Sequence, residues 1–348
     1  MMGFVAGQRA FVLLSRWDAL SFPSHVPAAV FTPQLQSRIA FQTMYDKVGV
    51  MNVQNPALPD SIPPSILASA DLLVTKTAYL AGMVALETAA CLSRLLMDSD
   101  PHYSRIIDGY HTEPEFLKNA LNSANQQSTL EKVPELRRRI VAALAHHLHL
   151  LQTQAFPEGK EAVARVIIYQ HLAQLGLHPH LWSLARGLAR RNEEYHALAP
   201  AHRTRVSEST SGVQPSGKST LSFIAFMLEV CHREVDYMTA ALNRGRLREA
   251  VMQVFRTHSR LTEAEIKPQT GSAFLALLIQ GALPRTEFET FTGLQPSEAC
   301  DQLNKVINIG LVVSSASNRH TLRVGLPVWF AQDIFPNFSL EESEIKPG

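Results

Sequence analysis

The sequence predicts a mainly α-helical protein that ends in a small α+β unit. Two patterns and the composition lead there. Apolar residues recur at intervals of three and four, and no alternating strand pattern is legible before residue 310. After Gly310, "LVVSS", a polar turn "ASNR" and "HTLRVGL" read as two short strands of a hairpin. Apolar residues make up 46% of the chain and charged residues 18%, which is the balance of a globular rather than a disordered protein.

At 348 residues there is room for two or three domains with real cores. The expected divisions are an irregular segment over 1–64, a helical domain over 65–258, a smaller domain over 259–338 and a loose charged tail over 339–348. "NPALPDSIPPS" reads as an extended linker, with Pro63-Pro64 opening the first helix. A helical pattern follows over about 65–97, and "MDSDPHYS" should end it. Further helices are expected over about 113–123 and 134–152. The next keeps Ala164, Ile168, Leu172 and Leu175 on one face and stops at Gly176, a C-cap glycine with Pro179 just beyond. One helix is then expected over 182–198, a long one over 220–242 and another over 246–258. In the tail, helices at 272–280, 284–291 and 296–309 precede the hairpin, which is the plan of a winged helix.

Charge and cysteine usage narrow the function. A formal net charge of +1 argues against binding nucleic acid or anionic membrane through bulk charge, leaving only local patches. Cys91, Cys231 and Cys300 are odd in number and far apart, so they build neither a disulfide framework nor a zinc site. With no convincing signal peptide in "MMGFVAGQRAFVLLSRWD", a reducing, cytoplasmic setting is expected. The Ala/Leu-rich stretch Leu67–Leu96 is interrupted by Asp71, Lys76, Glu87 and Arg94, which indicates packed helices rather than a membrane span.

Three motifs invite a chemical reading. Gly212, Gly217, Lys218 and Ser219 match the spacing of a P-loop. The polar residues "HRTRVSESTS" before them cannot form the buried strand such a loop needs, so a polar loop capped at Ser219 or Thr220 is expected. His146 and His149 lie on one helical face without an accompanying carboxylate, and packing or surface roles suit them better than metal. The stretch "TQAFPEGKEAVAR", residues 153–165, places Pro, an acid, Gly and Lys at a helix start. Unpaired N–H groups there attract phosphate. Glu158 could hold a magnesium ion on a nucleotide, while Lys160 and Arg165 could neutralise phosphate charge.

The stretch sits in a wider order of features. "AALAHH", "AFPEG…AR", "LWSLARGLARRNEEY" and "LSFIAFMLEVCHREVDYMTAALNRGRLREAV" follow one another over about residues 100–255. This order resembles the Fic (filamentation induced by cAMP) family, many of which transfer AMP from ATP to a hydroxyl of a target protein. The resemblance implies a Fic-like helical core, and a winged helix after it is also common in the family. By position, the family's catalytic histidine, its general base, falls on Gln154, or on Thr153 when counted forward from His146-His147. The metal-holding acid falls on Glu158, the first phosphate-binding glycine on Gly159, the asparagine on Lys160 and the second glycine on Glu161. The first arginine becomes Ala162, and the second is kept as Arg165. Upstream, "HYSRIIDGYHTEP" resembles the inhibitory helix through Ser104, Asp108 and Gly109, with aspartate one methylene shorter than the usual glutamate. The resemblance implies that Asp108 pairs with Arg165. No strand pair for docking a target is legible in "NALNSANQQSTLEKVPELRRR".

A chain without its general base loses on the order of 10²–10⁴ in rate. The expectation is therefore a Fic-like protein with a degraded AMP-transferase site, acting as a binding or regulatory module with at most weak binding of ATP and magnesium. The alternatives are an active adenylyltransferase with a target protein and a DNA-binding regulator acting through the winged helix. The helix over 296–309 carries Glu298, Asp301, Gln302, Asn304 and Lys305, two acids against one lysine, which is poor for approaching phosphates. No membrane partner is expected, and an oligomer is open.

Overall fold

Pro63 and Pro64 open the first described helix, α1 (Pro64–Met83). The first N–H groups of a helix have no intrahelical acceptor, and the fixed φ of proline suits the first turn. α1 buries Ile66, Ala70, Leu73, Thr77 and Leu80. It stops at Val84, whose backbone is extended, and α2 (Leu86–Asp108) begins. The single helix expected over 65–97 is thus two. The stop expected at "MDSDPHYS" is absent, because α2 runs through Pro101. A proline inside a helix costs about 3 kcal/mol or more. Tyr103 and Ile107 are buried just beyond it, and Ser183 Oγ donates to the buried Asp100 at 2.9 Å. At about 1.5–3 kcal/mol for each large apolar side chain buried, this packing outweighs the local penalty.

The structure, a computed structural model, describes residues 61–108, 133, 135–152, 160–199, 217–314 and 320–335. All of these fall in one compact unit, Phe41–Gly348. It is mainly helical with one small antiparallel sheet. The helix expected over 113–123 lies outside the described residues.

α3 (Leu136–Gln152) is buried along nearly its whole length from Ile140 and packs on α4 (Lys160–Gln174). Gly176 ends α4 with φ +75°, and Leu177 N donates to Leu172 O at 3.0 Å, a glycine-dependent helix stop. The helix expected over 182–198 is divided. A 3₁₀ turn (Pro179–Leu181) leads to α5 (Leu184–Arg190), which Ser183 caps by accepting from Arg186 N. Arg191 leaves the helical region, and α6 (Asn192–Leu198) follows. α7 (Gly217–Ala241) packs on α1, α3 and α5. It crosses α5 closely at Gly187, where a Cβ would meet Val230 Cγ1 at 2.6 Å and Glu234 Cγ at 2.7 Å. That approach explains the glycine inside "ARGLAR". α8 (Arg244–Thr257) is capped by Asn243, and the short α9 (Ser259–Glu263) follows.

The C-terminal part holds α10 (Thr270–Gln280), β1 (Ala282–Pro284), α11 (Arg285–Phe291), α12 (Pro296–Asn308), β2 (Val312–Ser314), β3 (Thr321–Val324) and α13 (Val328–Ile334). The strands pair antiparallel in the order β1–β3–β2, with Leu283 opposite Leu322 and Val313 opposite Arg323. β1 corrects the expectation of no strand before residue 310. Three residues give no alternation to detect, and β1 gains its pairing only from distant β3. α2 touches this part directly: Thr88 Oγ1 donates to Leu278 O at 2.7 Å, and the Cys91 thiol donates to Val324 O at 3.2 Å.

Among the described residues, α1 is the one helix long and apolar enough to cross a membrane by length and composition. Here its inner face lies on α3 and α7, and Lys76 Nζ donates to Asp236 at 2.7 Å.

Candidate functional site

Three helices meet at one buried ion pair. α2 delivers Asp108 from its last turn, α4 delivers Arg165 from its second turn, and α6 closes over both. Arg165 Nη1 donates to Asp108 Oδ1 at 2.8 Å, and Nη2 donates to Oδ2 of the same carboxylate. The side chains are 6% and 1% exposed, so the pair is shut off from water. A two-pronged guanidinium–carboxylate contact is the strongest common form of ion pair. Burial opposes the charge on Arg165, but Asp108 more than reverses this and holds its pKa above the usual arginine value.

α6 keeps this geometry from both sides. The last carbonyls of α2 need partners, as at any helix end. His196 Nε2 donates to Ile107 O at 2.8 Å, and Asn192 Nδ2 donates to Ile106 O at 3.3 Å. One turn of α6 therefore caps the turn of α2 that carries Asp108. Tyr195, between the two capping residues, points inward and is fully buried. Its hydroxyl lies 3.0 Å from His147 Nε2, and His147 Nδ1 lies 3.0 Å from Ala164 O. A carbonyl can only accept, so Nδ1 carries the proton and Nε2 accepts from the tyrosine. Burial first, and the Arg165 charge after it, push the His147 pKa down to about 3, against the Ala164 bond. Burial also raises the Tyr195 pKa, so the phenol keeps its proton. The result is a chain of contacts, Asp108–Arg165–Tyr195–His147, anchored on α4.

Replacing Tyr195 with Phe keeps the ring against Phe223 and Phe226 but leaves His147 Nε2 without its donor. The expected loss is about 1–3 kcal/mol of unfolding free energy, the cost of an orphaned buried polar atom. Urea denaturation at pH 7 measures it, and an unchanged midpoint would mean that the hydroxyl contributes nothing.

The expected site residues fall unevenly. Ser104 is half-buried on α2, one turn before Asp108. Lys160 is the first residue of α4. Gln154, Glu158, Gly159 and Gly109 lie outside the described residues, as do Thr153 and most of the stretch searched for a docking hairpin, whose last residues, 136–139, open α3. Ala162, at the position of the first family arginine, is buried and offers no side-chain donor. Glu161 lies in the first turn of α4, and its charge acts on Arg165 and Tyr195. A carboxylate is favoured at that helix end by the same partial positive charge that would attract a phosphate. The described part of the site therefore does not fit a phosphate chain. Its guanidinium is engaged, Ala162 has nothing to donate, and Glu161 adds negative charge. Arg165 Nε is the one buried guanidinium donor at this pair with no partner.

Sequence reasoning missed Asn192, His196, Tyr195 and His147 as the surround of this pair. The signal available was "NEEYH", which puts Asn192 and His196 four apart on one helical face with Tyr195 beside them. Gly217, Lys218 and Ser219 begin α7, so neither Ser219 nor Thr220 is its cap, and Gly212 lies outside the described residues. His146 is buried against His171, their ring centroids 5.4 Å apart, while His149 is exposed. Among the described residues no group of three or more His, Cys, Asp or Glu side chains is placed to hold a metal ion. Compared with known proteins, the chain matches no protein-family model and no curated protein significantly.

Proposed function

We propose that the chain is a Fic-like helical module whose AMP-transferase site is degraded and closed, and that it acts by binding or regulating another protein. One observation carries the reading: Arg165, the arginine kept from the family pattern, is buried and bound on both prongs by Asp108. The pairing follows from the resemblance of "HYSRIIDG" to the inhibitory helix, and composition or periodicity alone would not have suggested it. The loss of donors at Ala162 and the added charge of Glu161 point the same way. Any remaining ATP and magnesium binding is weak in this state. The three free cysteines, two of them buried, suit a cytoplasmic setting.

The competing reading is a working adenylyltransferase. Incubation of the full chain and of its Asp108→Ala variant with α-labelled ATP, magnesium and a cell lysate separates them. The expected result is no labelled protein above background for either. Labelling that Glu158→Ala abolishes would establish the enzyme instead.

We read the C-terminal part as a winged helix, with α10, α11 and α12 backed by the β1–β3–β2 sheet. Its charges favour protein docking over DNA. Lys305 pairs with Glu265 at 2.9 Å, Lys267 pairs with Glu298, and Asp301 is exposed on α12. Gln302 faces inward, accepting from Lys267 N at 2.7 Å, so it cannot reach a base edge. No shift of random duplex DNA at low salt is expected in a gel; a salt-sensitive shift would restore the DNA reading.

A further inference from the structure

The outer face of α1 carries a regular pattern that the described residues leave uncovered. Ser65, Ala68, Leu72, Thr75, Tyr79 and Gly82 are all exposed and follow one another at alternating intervals of three and four. Leu72 is 50% and Tyr79 63% exposed, and no charged residue interrupts the row. The core uses the opposite face, through Ile66, Leu73 and Leu80. An average spacing of 3.5 residues is the seam by which one helix pairs with another in a left-handed coil. Small residues at every second position of the row let two helix backbones come close.

We propose that this row is a dimerisation seam and that its occupant is α1 of a second copy of the chain, running parallel. Charge selects both the partner and the direction. Asp71 borders the row on the side of α3, where Arg137 Nη1 lies 3.4 Å from it and Arg138 is half exposed nearby in sequence. Lys76 borders the row on the side of α7, where it meets Asp236 at 2.7 Å. Of the other α7 groups, Arg233 is held by Glu229 at 2.6 Å and His232 bonds Ser69 at 3.0 Å. In a parallel two-fold pair the α3 border of each copy faces the α7 border of the other. Asp71 then meets Lys76 of the second copy five residues on, twice, and Arg137 approaches Asp236 of the second copy. Glu135 balances the two arginines, at 2.9 Å from Arg137 and 3.4 Å from Arg138, so direction is set by the flanking pair: an antiparallel pair would put Asp71 and Lys76 on opposite sides, where neither meets the other. The face is thus complementary to itself in one orientation only.

The test uses the full chain. Light scattering after gel filtration at about 50 μM, a concentration suited to a short seam, is expected to give twice the 38.6 kDa chain mass. Leu72→Glu with Tyr79→Glu should return the single-chain mass with an unchanged circular dichroism spectrum, since both side chains face solvent. Leu72→Cys in a Cys300→Ser background should cross-link copy to copy under mild oxidation, because a parallel seam sets residue 72 beside itself. An antiparallel seam sets Leu72 beside Thr75 rather than beside itself, so a dimer in which Leu72→Cys does not cross-link overturns the proposal. So does a wild-type chain that stays single at that concentration. Binding of that single chain to phosphatidylcholine–phosphatidylserine vesicles, lost in the double glutamate variant, would assign the face to a membrane surface instead.

Discussion

Replacing Asp108 with Ala should lower the unfolding free energy by about 3–5 kcal/mol. The loss comes less from the missing attraction than from the arginine left behind. Arg165 is 6% exposed and its bonds to Asp108 satisfy both terminal nitrogens. Without the carboxylate, a buried positive charge has no counterion. The double variant Asp108→Leu with Arg165→Met separates this from simple loss of packing. Replacing both charges by apolar groups of similar size often costs little or nothing, so the double variant should recover most of the stability. Urea unfolding of the three proteins is the measurement. If the single and double variants lose the same amount, the pair is not what holds α2 to α4.

Acid should destabilise the fold well above the pH at which carboxylates titrate. His146, His147 and His171 are buried, and burial pushes their pKa values down to about 3, about 3 and about 4. In the unfolded chain each returns to about 6.5. Between those values the unfolded state binds the protons and the folded state does not, so stability is full above pH 6.5 and falls as the pH drops. The three groups together should remove about 5 kcal/mol between pH 7 and pH 5. Denaturation at the two pH values checks this. An unchanged unfolding free energy would mean that the histidines take up protons inside the fold. His146 and His171 have a particular claim to this role, because the Nδ1 atoms of both are buried without a partner. Neither can gain a counterion on protonation from the other.

The helical character was legible because apolar spacing is local, as in Ala164, Ile168 and Leu172. So was the stop at Gly176, because only glycine takes that positive φ without strain. The passage of α2 through Pro101 was not legible. Local propensity argues for a stop there, and the packing that overrides it comes from Ser183 and the core, about eighty residues away in sequence. The same limit hid β1, whose partner strand is β3. At the site, Asp108 and Arg165 were legible as a pair only through the order of motifs along the chain. Their surround was hidden because α6 acts at two places at once. Asn192 and His196 satisfy carbonyls of α2, and Tyr195 satisfies a histidine on α3. No local pattern announces a side chain that serves a distant backbone group.

In the proposed reading, Asp108 occupies the arginine that a nucleotide would need. Calorimetric titration of ATP with magnesium into the full chain, the Asp108→Ala variant and the Asp108→Ala, Arg165→Ala double variant tests it directly. No saturable heat is expected up to millimolar ATP for the wild-type chain. Weak saturable binding is expected once Asp108 is removed, and loss of that binding when Arg165 is removed as well. Wild-type binding as tight as that of Asp108→Ala would contradict that reading, and so would binding in Asp108→Ala that survives the loss of Arg165.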